Sequence, residues 1–262
     1  MPYAPAGDTQ IYYELRGRKP ADAPAIVFAH GAGGNHLSWW QQVPHFRDRF
    51  ACLTFDHRGF GLSRDDAGRG GAAFADDLRA LLDHAGIERA TLVAQSLGGW
   101  TCLAFALRWP ERVQRLVMCD THGGLACDEI NAAWGAALRT PPGLPPGVHP
   151  AAGARMAAEQ PALAFLYAEI DALNPPRERA EITALLRAAG APTPDDVARL
   201  AMPVLCIVGE EDVVIPPSVI EIFAAYVPGS RVARVAHAGH SVYFERAAAC
   251  NAILDGFFAD TG

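Results

Sequence analysis

Ser96 stands between an apolar run, Ala90-Thr91-Leu92-Val93, and a helix-like stretch that opens Leu97-Gly98-Gly99-Trp100. That is the sequence context of a strand-turn-helix elbow, in which a sharp turn throws one side chain forward as a nucleophile. The residues two before and two after the serine must then be small, because larger ones collide in the strained backbone. Ala94 and Gly98 meet that demand, Ala94 with less room than a glycine leaves. The bland alternative is a plain helix N-cap, a position that serine favours, but a cap has no need of the two glycines that follow.

A serine hydroxyl is a poor nucleophile near neutrality, so it needs a base within hydrogen-bond reach and an acid to orient that base. Two later segments supply them. The loop Gly209-Glu210-Glu211-Asp212-Val213-Val214-Ile215-Pro216-Pro217 follows an apolar run at Val204 to Val208 and carries Asp212. The loop His237-Ala238-Gly239-His240-Ser241 follows the next run and carries His240. Rival acids are Glu210, Glu211 and Asp120, which ends the run Val113 to Cys119, and the rival base is His237. Parallel strands present their carboxyl ends on one side, so Ser96, Asp212 and His240 can converge although they lie far apart in the chain.

The elements that must position these groups read as alternating strands and helices. Strands are expected at Ile11 to Leu15, Ala25 to Ala29, Ala51 to Phe55, Ala90 to Ala94, Val113 to Cys119, Val204 to Val208 and Arg231 to Ala236. The clearest helix is Ala73 to Ala85: Phe74, Leu78, Leu81, Leu82 and Ala85 recur at helical spacing, and Gly86 stops it. Continuously apolar strands alternating with helices imply a three-layer α/β fold around a mostly parallel, twisted sheet. Between about 123 and 193 the alternation fails. Prolines cluster at Pro141, Pro142, Pro145, Pro146 and Pro150, and helical pieces follow at Ala151 to Gln160, Ala162 to Leu173 and Arg177 to Ala189. A helical insertion in an α/β chain most simply becomes a cap over one end of the sheet, giving a core of 1–122 and 194–262 and a cap of 123–193.

With His30-Gly31-Ala32-Gly33-Gly34 after one strand and Asp56-His57-Arg58-Gly59-Phe60-Gly61 after the next, the chain resembles the α/β-hydrolase family over nearly its whole length, in the order elbow, acid, histidine. The resemblance implies a capped serine hydrolase, esterase-like or lactonase-like, that uses Ser96, His240 and Asp212. It implies a helical cap after the sixth strand and an oxyanion hole from the backbone N–H groups of Ala32 and Leu97. Such amides fit physically: Leu97 opens a helix whose free N–H groups favour negative charge, and Gly31 and Gly33 let the other loop approach closely. His30 and Asp56 are expected to hold loops. Family members with dehalogenase or epoxide hydrolase chemistry carry an aspartate at the nucleophile, which Ser96 replaces. Carbon–carbon bond hydrolases of ring-cleavage products often carry tryptophan after the histidine, where this chain has Ser241. That chemistry and cofactor-free perhydrolysis remain alternatives on the same triad, and a weakly catalytic small-ligand receptor is the alternative of another class.

Substrate contacts are harder to aim. Apolar candidates are Trp39, Trp40, Leu97, Trp100, Trp134, Phe165, Leu166, Tyr167 and Val242, with Trp39, Trp100, Trp134, Phe165 and Val242 foremost; they point to a small, largely apolar or aromatic substrate. Any of Arg139, Arg155, Arg177 and Arg179 in the insertion could meet a carboxylate, with solvated surface as the default reading for each.

The bulk properties exclude other classes. A formal net charge of −7, with no basic block, leaves nothing to attract nucleic acid or an anionic membrane. No stretch of about 18 apolar residues occurs and the start lacks a signal pattern, so a cytoplasmic protein without membrane attachment is expected. Of the six cysteines, Cys52, Cys102, Cys119 and Cys206 fall in apolar runs and read as free core thiols. Neither a C-x-x-C pair nor an H-E-x-x-H spacing is present, so no metal is expected, and the acyl-transfer chemistry requires no cofactor. The glycines after His30 resemble a dinucleotide loop only superficially, since His36 stands where its last glycine belongs. The expected partner is a small-molecule substrate; nothing in the sequence sets an oligomeric state.

Overall fold

The apolar runs become the inner strands of a sheet in the computed structural model, which describes residues 2–139 and 143–260. The strands are β1 (Tyr3–Ala6), β2 (Thr9–Gly17), β3 (Ala25–Ala29), β4 (Ala51–Phe55), β5 (Ala90–Gln95), β6 (Val113–Cys119), β7 (Val204–Gly209) and β8 (Arg231–Val235). The order across the sheet is β1-β2-β4-β3-β5-β6-β7-β8. β1 and β2 run antiparallel to their neighbours, and every pairing from β4 to β8 is parallel. Every residue of β3, β4, β5 and β7 is buried, as expected of parallel strands covered on both faces.

The chain has one strand more than the sequence reading expected. β1 contains Pro5 and pairs only with β2, so it is an edge strand where a missing N–H costs no ladder bond. The turn Gly7-Asp8 joins β1 to β2, with Gly7 at φ +63°. A two-residue Gly-Asp turn is a hairpin signal that the prolines masked.

The helices are α1 (Gln42–Phe46), α2 (Phe74–His84), α3 (Leu97–Arg108), α4 (Asp128–Arg139), α5 (Gly153–Glu159), α6 (Pro161–Ala172), α7 (Arg179–Ala189), α8 (Pro194–Val197), α9 (Pro217–Tyr226), α10 (Val242–Glu245) and α11 (Ala247–Ala259). α2 ends as its sequence demands. Gly86, at φ +66°, donates to the Asp83 carbonyl at 3.2 Å, and Ile87 donates to that of Leu82 at 2.9 Å, the paired bonds of a glycine-terminated helix.

Two hydrophobic clusters fill the layers on the faces of the sheet. One holds Leu78, Leu81, Leu92, Leu103, Phe105 and Phe223, among others; the second holds Phe28, Trp39, Phe46, Tyr243, Phe244 and Phe257. A smaller cluster joins Phe60, Phe74 and Leu97 to Ala32 and to Ile182, Leu185, Leu186 and Ala189 of α7. Helices α4 to α7 all lie between β6 and β7. α4, absent from the sequence reading, packs on α9, with Tyr226 Oη donating to Glu129 Oε1 at 2.8 Å. Pro141 and Pro142 of the proline cluster lie outside the described residues. All six cysteines are free, and no helix among the described residues is long and apolar enough to cross a membrane.

Candidate active site

β5 delivers Ser96 at the carboxyl edge of the sheet. The serine has φ +48° and ψ −119°, a conformation that L residues seldom adopt and that marks stored strain. It occupies the N-cap position of α3, yet its hydroxyl makes no capping bond, so the plain N-cap reading fails. Close packing explains the small residues around it. A Cβ on Gly98 would run into the Ala29 carbonyl, and one on Gly99 would run into the Thr121 side chain, so α3 lies directly against the ends of β3 and β6. Thr121 Oγ1 donates to the Ser96 carbonyl at 2.8 Å and Ser96 N–H donates to that of Cys119 at 3.2 Å, which fastens the elbow to β6.

The loops after β7 and β8 bring acid and base together. His240 Nδ1 lies 2.8 Å from Asp212 Oδ2, and both side chains are buried. Asp212 Oδ1 accepts the N–H groups of Val214 at 2.7 Å and Ile215 at 2.9 Å, which aims the carboxylate and leaves Oδ2 for the histidine. With Nδ1 committed to the carboxylate, Nε2 is the nitrogen left for proton transfer. The hydrogen bonds of the described residues end at this pair; none of them reaches Ser96 Oγ. Such bonds are commonly long in a free enzyme and close when substrate binds.

The rivals are engaged elsewhere. Asp120 is fully buried; Oδ1 accepts Gly209 N–H at 2.8 Å and Oδ2 accepts Val242 N–H at 3.2 Å, so it ties the acid loop to the histidine loop. Burial, and after it the charge of Asp212, pushes the Asp120 carboxyl well above the ordinary carboxylate range. Glu210 pairs with Arg234 at 3.0 Å, and Glu211 pairs with Arg155 at 2.7 Å. The His237 side chain is 69% exposed and faces Glu211.

Opposite the elbow runs the loop that leaves β3. His30 Nδ1 donates to the Gly31 carbonyl at 2.7 Å, and His30 Nε2 accepts His57 N–H at 3.0 Å, which fixes a neutral tautomer. Burial holds His30 down at about 4, so the ring is a clamp and cannot serve as a cation. Asp56 holds the same loop from below, accepting His36 N–H at 2.6 Å and Leu62 N–H at 2.8 Å. The amides of Ala32 and Leu97 donate to no backbone group among the described residues.

Gln95 was missed by sequence reasoning. It is buried beside the serine; its Nε2 donates to the His240 carbonyl at 2.9 Å, and a Cβ on Gly31 would run into its Oε1. One side chain thus spaces the histidine loop from the glycine loop. Its only sequence signal was a polar residue ending an apolar strand.

The substrate candidates separate. Trp39 is a core residue, fully buried with its ring 5.0 Å from Phe28 and 4.3 Å from Tyr243, and Val242 lies in the same cluster. Phe165 is 66% exposed on α6, whereas Tyr167 and Ile170 of the same helix are buried. Trp100 and Trp134 flank His122, with ring centroids 4.9 and 6.3 Å from it. Leu97 is buried beneath α7. Tyr167 reaches the glycine loop: a Cβ on Gly33 would lie 3.1 Å from its hydroxyl. Of the arginines, Arg155 bridges Glu159 and Glu211 at the surface, while Arg177 is half-buried, its guanidinium 4.3 Å above the Phe60 ring.

Known proteins resemble this chain in sequence and in fold. The chain is 32% identical over 126 residues to a putative carbamate hydrolase RutD of Agrobacterium fabrum, covering 45% of this chain and 48% of that protein. It is 34% identical over 117 residues to 3-oxoadipate enol-lactonase 2 of Acinetobacter baylyi, covering 44% and 43%. The chain therefore spans about half the length of the curated relatives it matches. Among solved structures, the enol-lactonase from Burkholderia xenovorans LB400 superposes with a TM-score of 0.79 at 24% identity, covering 99% of this chain and 100% of that one. Est816, described as an N-acyl homoserine lactone degrading enzyme, superposes at 0.77 with 25% identity, covering 98% and 100%. The family model of the alpha/beta hydrolase fold matches residues 24–247, and the chain belongs to that family.

Proposed function

We propose that this chain is a serine hydrolase that cleaves a carboxylic ester or lactone of a small, largely apolar or aromatic substrate. The observation that carries the reading is the buried pairing of His240 with Asp212, with the His240 carbonyl bonded by Gln95, the chain neighbour of a serine held at positive φ. His240 Nε2 takes the proton of Ser96 as its oxygen attacks the substrate carbonyl. The oxyanion is met by the N–H groups of Ala32 and Leu97, and the imidazolium returns its proton to the leaving oxygen. Water, deprotonated by the same imidazole, then releases the acyl group and restores the serine. Asp212 keeps the proton on Nδ1 and stabilises the imidazolium.

Residues 123–193 act in this reading as a cap over the edge of the sheet. The apolar contacts that Leu97 and Ala32 make with α7 favour an apolar acyl group over a charged one. The enol-lactonase and lactone-degrading names among the similar proteins support ester and lactone chemistry. The test is a panel of short and long acyl esters, lactones and ring-cleavage dienones on wild type beside Ser96→Ala. Turnover of esters or lactones that vanishes in the variant is the expected result. Unchanged turnover in Ser96→Ala removes the serine from the mechanism, and cleavage of dienones alone replaces ester chemistry with carbon–carbon bond cleavage.

A further inference from the structure

The turn that carries His240 is held from behind by a carboxyl group with no part in the chemistry above. Glu245 ends α10 and is 5% exposed, and its Oε1 accepts the N–H of Gly239, the residue directly before His240. Other elements close on the same turn. Glu211 N–H donates to the Ala238 carbonyl at 2.8 Å, and a Cβ on Gly209 would run into the Gly239 carbonyl, so the end of β7 passes directly beneath. The helical insertion also arrives here: Gln160 Nε2 donates to the Glu245 backbone carbonyl at 3.2 Å, and a Cβ on Gly239 would lie 3.9 Å from Gly153 Cα. Glu245 thus stands where the histidine loop, β7 and the insertion meet.

The charges around it are Arg246 beside it in the chain, Glu211 on the loop after β7, and Arg155 on α5. These side chains are occupied with one another and their neighbours: Arg155 bonds Glu211 and Glu159, Arg246 bonds Glu159 at 3.0 Å, and His237 faces Glu211. None of these cations lies within ion-pair distance of Glu245 among the described residues. Burial pushes the Glu245 carboxyl up to about 7, so it changes charge in the range where a histidine base works.

We propose that Glu245 is a positioning residue: its carboxyl group fixes the Gly239 amide, and with it the backbone that presents His240 to Ser96, more firmly when ionised than when neutral. A charge-assisted hydrogen bond is shorter and roughly twice as strong as a neutral one, and a displaced base costs rate steeply. The inference rests on the assignment of Ser96 and His240 made above. A residue that served only to fill space would change melting temperature and leave the pH dependence of turnover untouched.

The test is steady-state turnover of p-nitrophenyl acetate from about pH 5 to 9 by the full chain as wild type, Glu245→Ala and Glu245→Gln, with thermal melts and Ser96→Ala alongside. Glu245→Ala is expected to lower kcat about 10- to 100-fold with KM changed by less than about threefold. Glu245→Gln, an isosteric neutral acceptor, is expected to recover most of that loss below about pH 6 and to trail wild type about fivefold above about pH 8. A ratio of wild type to Glu245→Gln that stays flat with pH, or a Glu245→Ala kcat within about twofold of wild type, overturns the inference when Ser96→Ala is inactive. Turnover retained in Ser96→Ala overturns the mechanism itself, and the inference with it.

Discussion

Gly98→Ala tests the elbow with a single methyl group. The new Cβ would meet backbone: the Ala29 carbonyl oxygen, the Ala29 carbonyl carbon at 2.8 Å and the His30 carbonyl oxygen at 2.9 Å. None of these can rotate away as a side-chain tip can. Ordinary contact begins near 3.4 Å, so the first turn of α3 must retreat from the end of β3 by roughly 0.6 Å or more. That movement separates two amides assigned to one oxyanion: Leu97 N–H travels with α3, and Ala32 N–H belongs to the loop that β3 feeds. A misplacement near 1 Å costs about 10²-fold in rate, and loss of one oxyanion donor costs about 10²–10³-fold. The expected result is a kcat for a nitrophenyl ester about 30- to 100-fold lower with little change in KM, since the donors act on the transition state. Overpacking should also remove about 1–3 kcal/mol of stability, or roughly 3–10 °C of melting temperature for a chain of this size. Gly256→Ala is the matched control, because nothing lies within 4 Å of its Cβ position on α11. It should gain about 0.5–1 kcal/mol and keep wild-type turnover. A Gly98→Ala enzyme with kcat within about threefold of wild type and an unmoved melt would refute the close-packed elbow.

Other perturbations separate the remaining roles. Asp212→Asn should lower kcat by about 10⁴-fold through the wrong histidine tautomer, whereas Asp120→Asn, at a carboxyl that holds two backbone amides rather than the histidine ring, should cost less than about tenfold; the reverse order in a nitrophenyl ester assay would make Asp120 the acid. Arg58→Ala strands Asp77, whose carboxylate takes two bonds from the guanidinium at 2.7 and 2.8 Å, so chemical denaturation should show a loss of about 3–5 kcal/mol, and Arg58→Ala with Asp77→Ala should lose less than the single change. Glu245 predicts the pH dependence of stability. Its folded value near 7 is raised above the unfolded 4.5, so the native state binds the proton more tightly, and stability present below pH 4.5 is lost as pH rises to about 7. The loss is on the order of 3 kcal/mol; a denaturation series over that range should show the decline in wild type and a flatter profile in Glu245→Gln, and equal profiles would contradict the burial cost.

What the sequence revealed, and what it hid, divide along one physical line. β3, β4 and β5 were legible because strands buried on both faces are mostly apolar, a pattern that survives without knowledge of their neighbours. α2 was legible because its apolar stripe and its terminal glycine are both local. β1 was not: four residues containing Pro5 carry almost no strand signal, and only pairing with β2 defines them. α4 was overlooked although Asp128 and Glu129 open its first turn, because the proline cluster and the glycines beside it suggested irregular chain. The same division runs through the candidate site. Ser96, Asp212 and His240 could be named because each sits at the end of a legible strand, where a parallel sheet gathers loops on one edge. Trp39 and Phe165 could not be aimed, since a tryptophan in a short helical turn and a phenylalanine on a helix apolar around most of its circumference look alike until their partners are known. Gln95, Asp120 and Glu245 lie deeper in this difficulty. Their roles consist of hydrogen bonds to backbone atoms outside their own elements, the His240 carbonyl and the Gly209 and Val242 amides far away in the chain and the Gly239 amide on the neighbouring loop, and a polar residue's choice of such a partner leaves no periodicity to read. The groups proposed to act on substrate are thus visible as residue types in loops, while the groups that hold those loops emerge only when the sheet is assembled.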